Sequence, residues 1–113
     1  MRIQNGHEGR TVICRPIGDL DRFTFASFVA QISSLIRPDM HLVLDLSELR
    51  FIDSTGLSAL RAAIRRVRRR GGQVSVRNPS GHVANLLSLT ALDAVIQVSR
   101  RPHGFISPPQ PAS

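Results

Sequence analysis

Four consecutive residues, Asp53-Ser54-Thr55-Gly56, bring a carboxylate, two hydroxyls and a glycine to the predicted start of a helix. The N–H groups of a first helical turn lack helical acceptors, and the helix dipole makes that end partly positive. An oxyanion attached there is stabilised, so the Ser54 hydroxyl could carry a phosphate without melting its own helix. For four such residues in isolation, a plain N-cap at Asp53 or Ser54 would be the commoner explanation.

The elements on either side place this hydroxyl where a partner could reach it. The nearly continuous apolar run His41–Leu46, HLVLDL, predicts a strand covered on both faces, with Asp45 as its one polar exception. A short polar connection leads from this strand to a helix over 54–70, which Gly71-Gly72 terminates. The inward face of this helix is predicted to comprise Leu57, Leu60, Ala63, Ile64 and Val67.

The remaining segments alternate between strand and helix patterns. Thr11–Ile17 predicts a strand that ends at the turn Gly18-Asp19-Leu20-Asp21. A helix follows from Thr24 to the region of Pro38; its inward positions are Phe25, Phe28, Val29, Ile32, Leu35 and Ile36. Further predictions are strands over Gln73–Arg77 and Ala94–Val98, and between them a helix over His82–Leu89 with Val83, Leu86, Leu87 and Leu89 facing inward. This order predicts one α/β domain with a mixed or largely parallel sheet of four to five strands and three or four helices.

Length and composition fit a single domain without a membrane segment. The chain has 113 residues, 42% of them hydrophobic, which suits one modest core. We assign residues 1–99 to the domain and 100–113, which hold four of the seven prolines, to a flexible tail. No apolar run is long enough to span a bilayer, and residues 1–10 lack a signal-peptide pattern, so a cytoplasmic location is expected. Cys14, the one cysteine, is predicted to be a buried apolar residue.

The net charge of +7 comes mainly from one helix. The chain has 15 arginines, no lysine and 8 acidic residues. Six of the arginines lie in the helix that follows Ser54: Arg61, Arg65, Arg66, Arg68, Arg69 and Arg70. Direct nucleic-acid binding is not expected, because the chain has no Trp or Tyr and no aromatic residue interleaved with this basic run. The four histidines are too far apart in sequence to suggest a metal site.

In this order the elements resemble a STAS domain of the anti-sigma factor antagonist (anti-anti-sigma factor) family. The resemblance extends over residues 8–98 and rests on GDLD after the early strand, on LVLDLSELRFIDSTGL, and on the GG-strand-NPSG sequence that follows. It implies the STAS fold and a non-enzymatic regulator of sigma factors, with no catalytic residue and no cofactor. The family's more usual glutamate in the first motif is replaced here by Asp19.

The resemblance also implies a partner-switching mechanism. The unphosphorylated antagonist would bind an anti-sigma factor, itself a serine kinase that holds ATP, and thereby release the sigma factor. Phosphorylation of Ser54 would end the binding, and a PP2C-type phosphatase would restore it. The partner-binding residues would be Asp19, Asp21, Asp53, Ser54, Thr55 and Gly56. Asp45 and Asp53 would add negative charge near the phosphate, and Gly56 would let the partner approach closely.

Several alternatives stay open at this stage. The GDLD turn could simply cap the first helix. The arginines could form an ordinary solvated face, or Arg61, Arg65 and Arg69 could bind an acidic partner, an anionic lipid surface or nucleic acid. In the second case the domain would be an unphosphorylated scaffold, for example beside a lipid-transport ATPase or in a signalling assembly. An enzyme is the weakest hypothesis, and a monomer or weak dimer is expected.

Overall fold

The computed structural model describes residues 1–89 in full and the backbone of 97–99. The strands are β1 (Arg2–Glu8), β2 (Thr11–Leu20), β3 (His41–Asp45), β4 (Leu49–Ile52), β5 (Gln73–Arg77) and β6 (Gln97–Ser99). The helices are α1 (Phe25–Leu35), α2 (Ser54–Arg69) and α3 (Gly81–Leu89). The predicted tail, residues 100–113, and the first residues of the predicted last strand, 94–96, lie outside the described residues.

The sheet is mixed, as the sequence predicts. Its strand order is β1-β2-β3-β5-β6, in which β1 pairs antiparallel with β2 and the other neighbours along this path pair in parallel. The short strand β4 lies off this path and pairs in parallel with the end of β2. The predicted α/β architecture, with a mixed sheet and three helices, is thereby confirmed for the described residues.

Two of the strands are not predicted from the sequence. β1 is largely exposed and has no apolar alternation, so no periodicity predicts it. It is stabilised by backbone pairing with β2 across a tight turn at Gly9, whose φ is +63°. β4 has only four residues, and the segment containing it was expected to be a polar connection. That expectation was wrong: Leu49 and Ile52 are fully buried, and the strand leads directly to the start of α2.

The core lies between the sheet and the helices. α1 buries Phe28 and Ile32, and α2 buries every residue of its predicted inward face. Two expected core residues are instead exposed: Phe25 at the start of α1 and Leu89 at the end of α3. Both lie in the terminal turn of a helix, where a periodicity argument overestimates burial.

Neither a membrane-spanning helix nor a metal-binding cluster is found in the described ranges. No helix there is long and apolar enough to cross a bilayer. No group of three or more His, Cys, Asp or Glu side chains is placed there to hold a metal ion.

Candidate functional site: the helix start at Ser54

The chain turns from β4 into α2 at Asp53, whose backbone is extended (φ −107°, ψ −172°). The Asp53 carboxylate accepts a hydrogen bond from the Gly56 N–H at 2.8 Å, so Asp53 is the N-cap of α2. The Asp53 N–H in turn donates to the Leu20 carbonyl oxygen at 3.3 Å. This residue therefore fixes the helix start both to its own first turn and to the end of β2.

Ser54 is the first residue of α2 and is exposed to solvent. Within the described part of the chain, no hydrogen bond holds the Ser54 hydroxyl, whereas the Ser58 hydroxyl donates to the Ser54 carbonyl oxygen at 3.1 Å. The N–H groups of Ser54 and Thr55 precede the first helical hydrogen bond, which runs from the Leu57 N–H to the Asp53 carbonyl. Ser54 thus has a free hydroxyl at the positive end of a helix of 16 residues.

Gly56 has a packing role, which corrects the expectation that its missing side chain serves a partner. It is buried, and a Cβ built on it would overlap the Leu20 carbonyl group and lie 2.9 Å from the Cγ1 of Ile52. The space that glycine leaves is therefore filled from inside the domain. Only a residue without a side chain allows α2 to begin this close to β2.

The GDLD segment, Gly18–Asp21, meets the start of α2 through Leu20. The prediction that the strand ends before this segment was wrong, because Gly18, Asp19 and Leu20 continue β2 and pair with β4. Asp19 is exposed and pairs in register with Phe51 of β4. Asp21 is half-buried, and its carboxylate accepts from the N–H groups of Phe23 and Thr24 at 2.9 and 3.2 Å. The Asp21 carboxylate therefore closes the turn that precedes α1, whereas the N-cap residue of α1, Thr24, makes no side-chain capping hydrogen bond. The Asp19 side chain is exposed.

A groove of about 330 Å³ opens between α1 and α2 at the Ser54 end of α2. Its lining combines three hydroxyl side chains with four apolar ones: Ser54, Thr55 and Ser58, and Phe25, Val29, Ala59 and Ala62. A partner that contacts the Ser54 hydroxyl can therefore bury an apolar side chain in the groove next to it. This groove explains why Phe25, predicted to be in the core, remains partly exposed.

Sequence reasoning missed three exposed phenylalanines around this helix start. Phe23, Phe25 and Phe51 are 79%, 40% and 44% exposed, and they lie in or beside the GDLD turn, at the start of α1 and on β4. The Arg22 guanidinium lies over the Phe23 ring at 4.8 Å, and Phe51 stacks on His82 with ring centroids 5.2 Å apart. Exposed aromatic rings of this kind are frequent anchors in protein interfaces. The only sequence signal was their position next to the two motifs.

Asp45 does not add charge at Ser54, contrary to the expectation. Its side chain is buried at the end of β3 and lies 3.1 Å from Arg15 Nη2 and 3.7 Å from Arg77 Nε. Burial alone would raise the pKa of Asp45, but hydrogen bonds from Ser47 and Arg15 lower it below its ordinary value. The carboxylate is therefore charged but compensated, and its role is structural.

The arginines of α2 are all on the exposed side of the helix, as predicted. Arg61 and Arg65 lie on the outer surface, in line with Ser54 and Ser58 at helical spacing. Arg69 lines a second hollow of about 260 Å³ between the helices, with Ser33, Ile36, Arg66 and Arg70. The structure thus divides the predicted basic face into an outer part and a concave part.

Comparison with known proteins identifies the family. The STAS domain family model matches residues 2–104, so the chain belongs to the STAS domain family. An anti-sigma F factor antagonist from Paenibacillus polymyxa is 28% identical over 100 residues, which cover 87% of this chain and 86% of that protein. The predicted resemblance to anti-sigma factor antagonists is confirmed.

Solved structures agree with this assignment at the level of the fold. The anti-sigma factor antagonist SpoIIAA in its unphosphorylated form superposes with a TM-score of 0.72 at 24% identity, covering 86% of this chain and 87% of that one. The phosphorylated form of the Bacillus cell fate determinant SpoIIAA gives a TM-score of 0.67 at 22% identity, covering 86% of this chain and 90% of that one.

Proposed function

We propose that this protein is an anti-sigma factor antagonist whose binding is switched by phosphorylation of Ser54. In its unphosphorylated form it binds an anti-sigma factor in the cytoplasm and releases the sigma factor. The single observation that best supports this role is the unengaged Ser54 hydroxyl at the start of α2, next to the groove between the helices. The names of its relatives support the same general role.

The phosphorylation step requires chemistry from the partner. The Ser54 Oγ attacks the γ-phosphorus of ATP held by the anti-sigma factor, the bond to the β–γ bridging oxygen breaks, and ADP leaves. The hydroxyl proton passes to a base of the kinase. Hydrolysis of the phosphoserine by a PP2C-type phosphatase returns the hydroxyl and releases inorganic phosphate. The antagonist contributes the acceptor and its positioning, and it needs no catalytic residue or cofactor.

The effect of the phosphate follows from its charge. It brings about −1.5 to −2 charges to a surface that otherwise presents a neutral hydroxyl and apolar side chains. The helix N-terminus stabilises this charge in the free protein, whereas docking would require the phosphate to lose its water. Phosphorylation can therefore prevent binding without unfolding the domain.

Ser54 and Ser58 provide a matched pair for the test. We would incubate wild type, Ser54→Ala and Ser58→Ala with the histidine-kinase-like anti-sigma factors of the same organism and with ATP, and locate the phosphate by mass spectrometry. Wild type and Ser58→Ala should gain one phosphate on Ser54, while Ser54→Ala should gain none. If no kinase modifies Ser54, or if the phosphate is found on Ser58 instead, the proposal is wrong.

A further inference from the structure

The contact line between α1 and α2 forms a seam with a hollow at each end. The groove at Ser54 is mainly apolar, and the second hollow, lined by Ser33, Ile36, Arg66, Arg69 and Arg70, is basic. Ser58 borders the first hollow and Arg66 the second, and eight residues of helix separate them by about 12 Å. One extended or helical segment of a partner could therefore reach both.

Within the described residues, the basic hollow carries positive charge that no ion pair balances. Its lining includes three arginines and no acidic residue, and α2 itself contains no Asp or Glu. Arg66 Nη1 donates to the neutral Ser33 hydroxyl at 2.6 Å, which orients its guanidinium over the seam without balancing its charge. Asp39, whose carboxylate packs against Gly71, does not line the hollow.

We propose that the α1–α2 seam binds one acidic segment of a protein partner, with an apolar side chain in the Ser54 groove and carboxylates in the basic hollow. The contact of the apolar side chain with the Ser54 groove rests on the proposed function, since it uses the same site. The contact of the carboxylates with the basic hollow is new. Guanidinium groups bind carboxylates through paired, charge-assisted hydrogen bonds.

Two other classes of anionic partner fit the concave site less well. A lipid surface would meet the convex outer arginines, Arg61 and Arg65, before it reached those between the helices. Nucleic acid would be expected to use aromatic stacking, and no aromatic residue lines the basic hollow. Both classes are included as outcomes of the test.

The test measures binding of a labelled helical peptide with leucine in its first turn and glutamates two to three turns later, by fluorescence anisotropy. The comparison probes are the same peptide with glutamine for glutamate, phosphatidylglycerol vesicles and a short DNA duplex. Arg66→Glu/Arg69→Glu alters the hollow, and Arg61→Glu/Arg65→Glu gives the same change in net charge on the outer surface of the same helix. Circular dichroism and urea unfolding establish that each variant is folded.

We expect the hollow variant to bind the glutamate peptide at least about tenfold more weakly, because two charge-assisted contacts are lost, and the outer variant to change by less than about threefold. The proposal would be overturned if both variants lost affinity for the glutamate peptide equally, or if wild type bound the glutamine peptide as tightly as the glutamate peptide. Tighter binding of vesicles or DNA through Arg66 and Arg69 would also overturn it. Because this assay needs neither kinase nor ATP, its failure is distinct from failure to phosphorylate Ser54.

Discussion

The Leu20 carbonyl group occupies the space that a side chain at Gly56 would need. The same carbonyl oxygen accepts a hydrogen bond from the Asp53 N–H. The end of β2 and the start of α2 are therefore fixed against each other by two contacts to the same carbonyl group. As a result, the end of the GDLD segment and the helix start at Ser54 are held next to each other.

Gly56→Ala should destabilise the domain by about 1–3 kcal/mol, because the new methyl group would overlap the Leu20 carbonyl and crowd Ile52. The free energy of unfolding in urea measures the effect. Gly6→Ala is the matched control, since nothing lies within 4 Å of a Cβ at that position, and it should change stability by less than about 0.5 kcal/mol. Equal stabilities of the two variants would contradict the assigned packing role.

Asp53→Ala should cost about 1 kcal/mol of stability, because the Gly56 N–H loses its capping acceptor. Asp53→Asn retains an acceptor oxygen and should remain within a few tenths of a kcal/mol of wild type. Urea unfolding of the three proteins side by side checks this. A large loss in Asp53→Asn would show that the charge of Asp53, and not its cap, stabilises the helix start.

Asp45→Asn should destabilise the domain by about 1–3 kcal/mol at neutral pH, because the buried Asp45 side chain loses the charge that pairs with the partly exposed Arg15 and Arg77. The pKa of Asp45 is below its ordinary value of 3.8 in the folded protein. Its stabilising effect is therefore complete above about pH 4 and is lost as the pH falls through the lower, folded pKa. Unfolding curves measured from pH 7 down to pH 3 give the free energy of unfolding of wild type and of Asp45→Asn. The difference between the two should narrow only below about pH 4. A difference in the free energy of unfolding that does not depend on pH would argue against the ion pairs.

Cys14 should resist alkylation in the folded protein. Its side chain is fully buried, and burial raises the pKa of the thiol to about 11, so very little thiolate is present at pH 8. Iodoacetamide should label Cys14 rapidly in denaturant and at least about a hundredfold more slowly in buffer, as followed by intact mass. Comparable rates under the two conditions would mean that β2 opens readily.

Sequence periodicity predicted the elements that bury an apolar face, and it failed where other forces dominate. α2 and β3 follow their predicted inward positions because burial drives their formation. β1 has no such signal, since its stability comes from pairing with β2. Four-residue β4 is too short for a periodicity to be recognised.

The sequence predicted which residues form the site more fully than it predicted the role of each residue. The helix start at Ser54 is recognisable from DSTG after a strand, but the inward packing of Gly56 and the ion pairs of Asp45 depend on contacts between distant segments. Arg15 and Asp45 are 30 positions apart in sequence, and Gly56 meets Leu20 of a distant strand, so local patterns do not contain these contacts. The groove beside Phe25 exists only because α1 and α2 meet there.

The central claim is tested most directly by the affinity of the anti-sigma factor for the two forms of this protein. Isothermal titration calorimetry would compare unphosphorylated wild type, the Ser54-phosphorylated protein, Ser54→Ala and Ser54→Asp. We predict that wild type and Ser54→Ala bind with similar affinity, and that the phosphorylated protein and Ser54→Asp bind at least about a hundredfold more weakly, because a charge must be desolvated at the interface. Equal affinity of the phosphorylated and unphosphorylated forms would contradict the account.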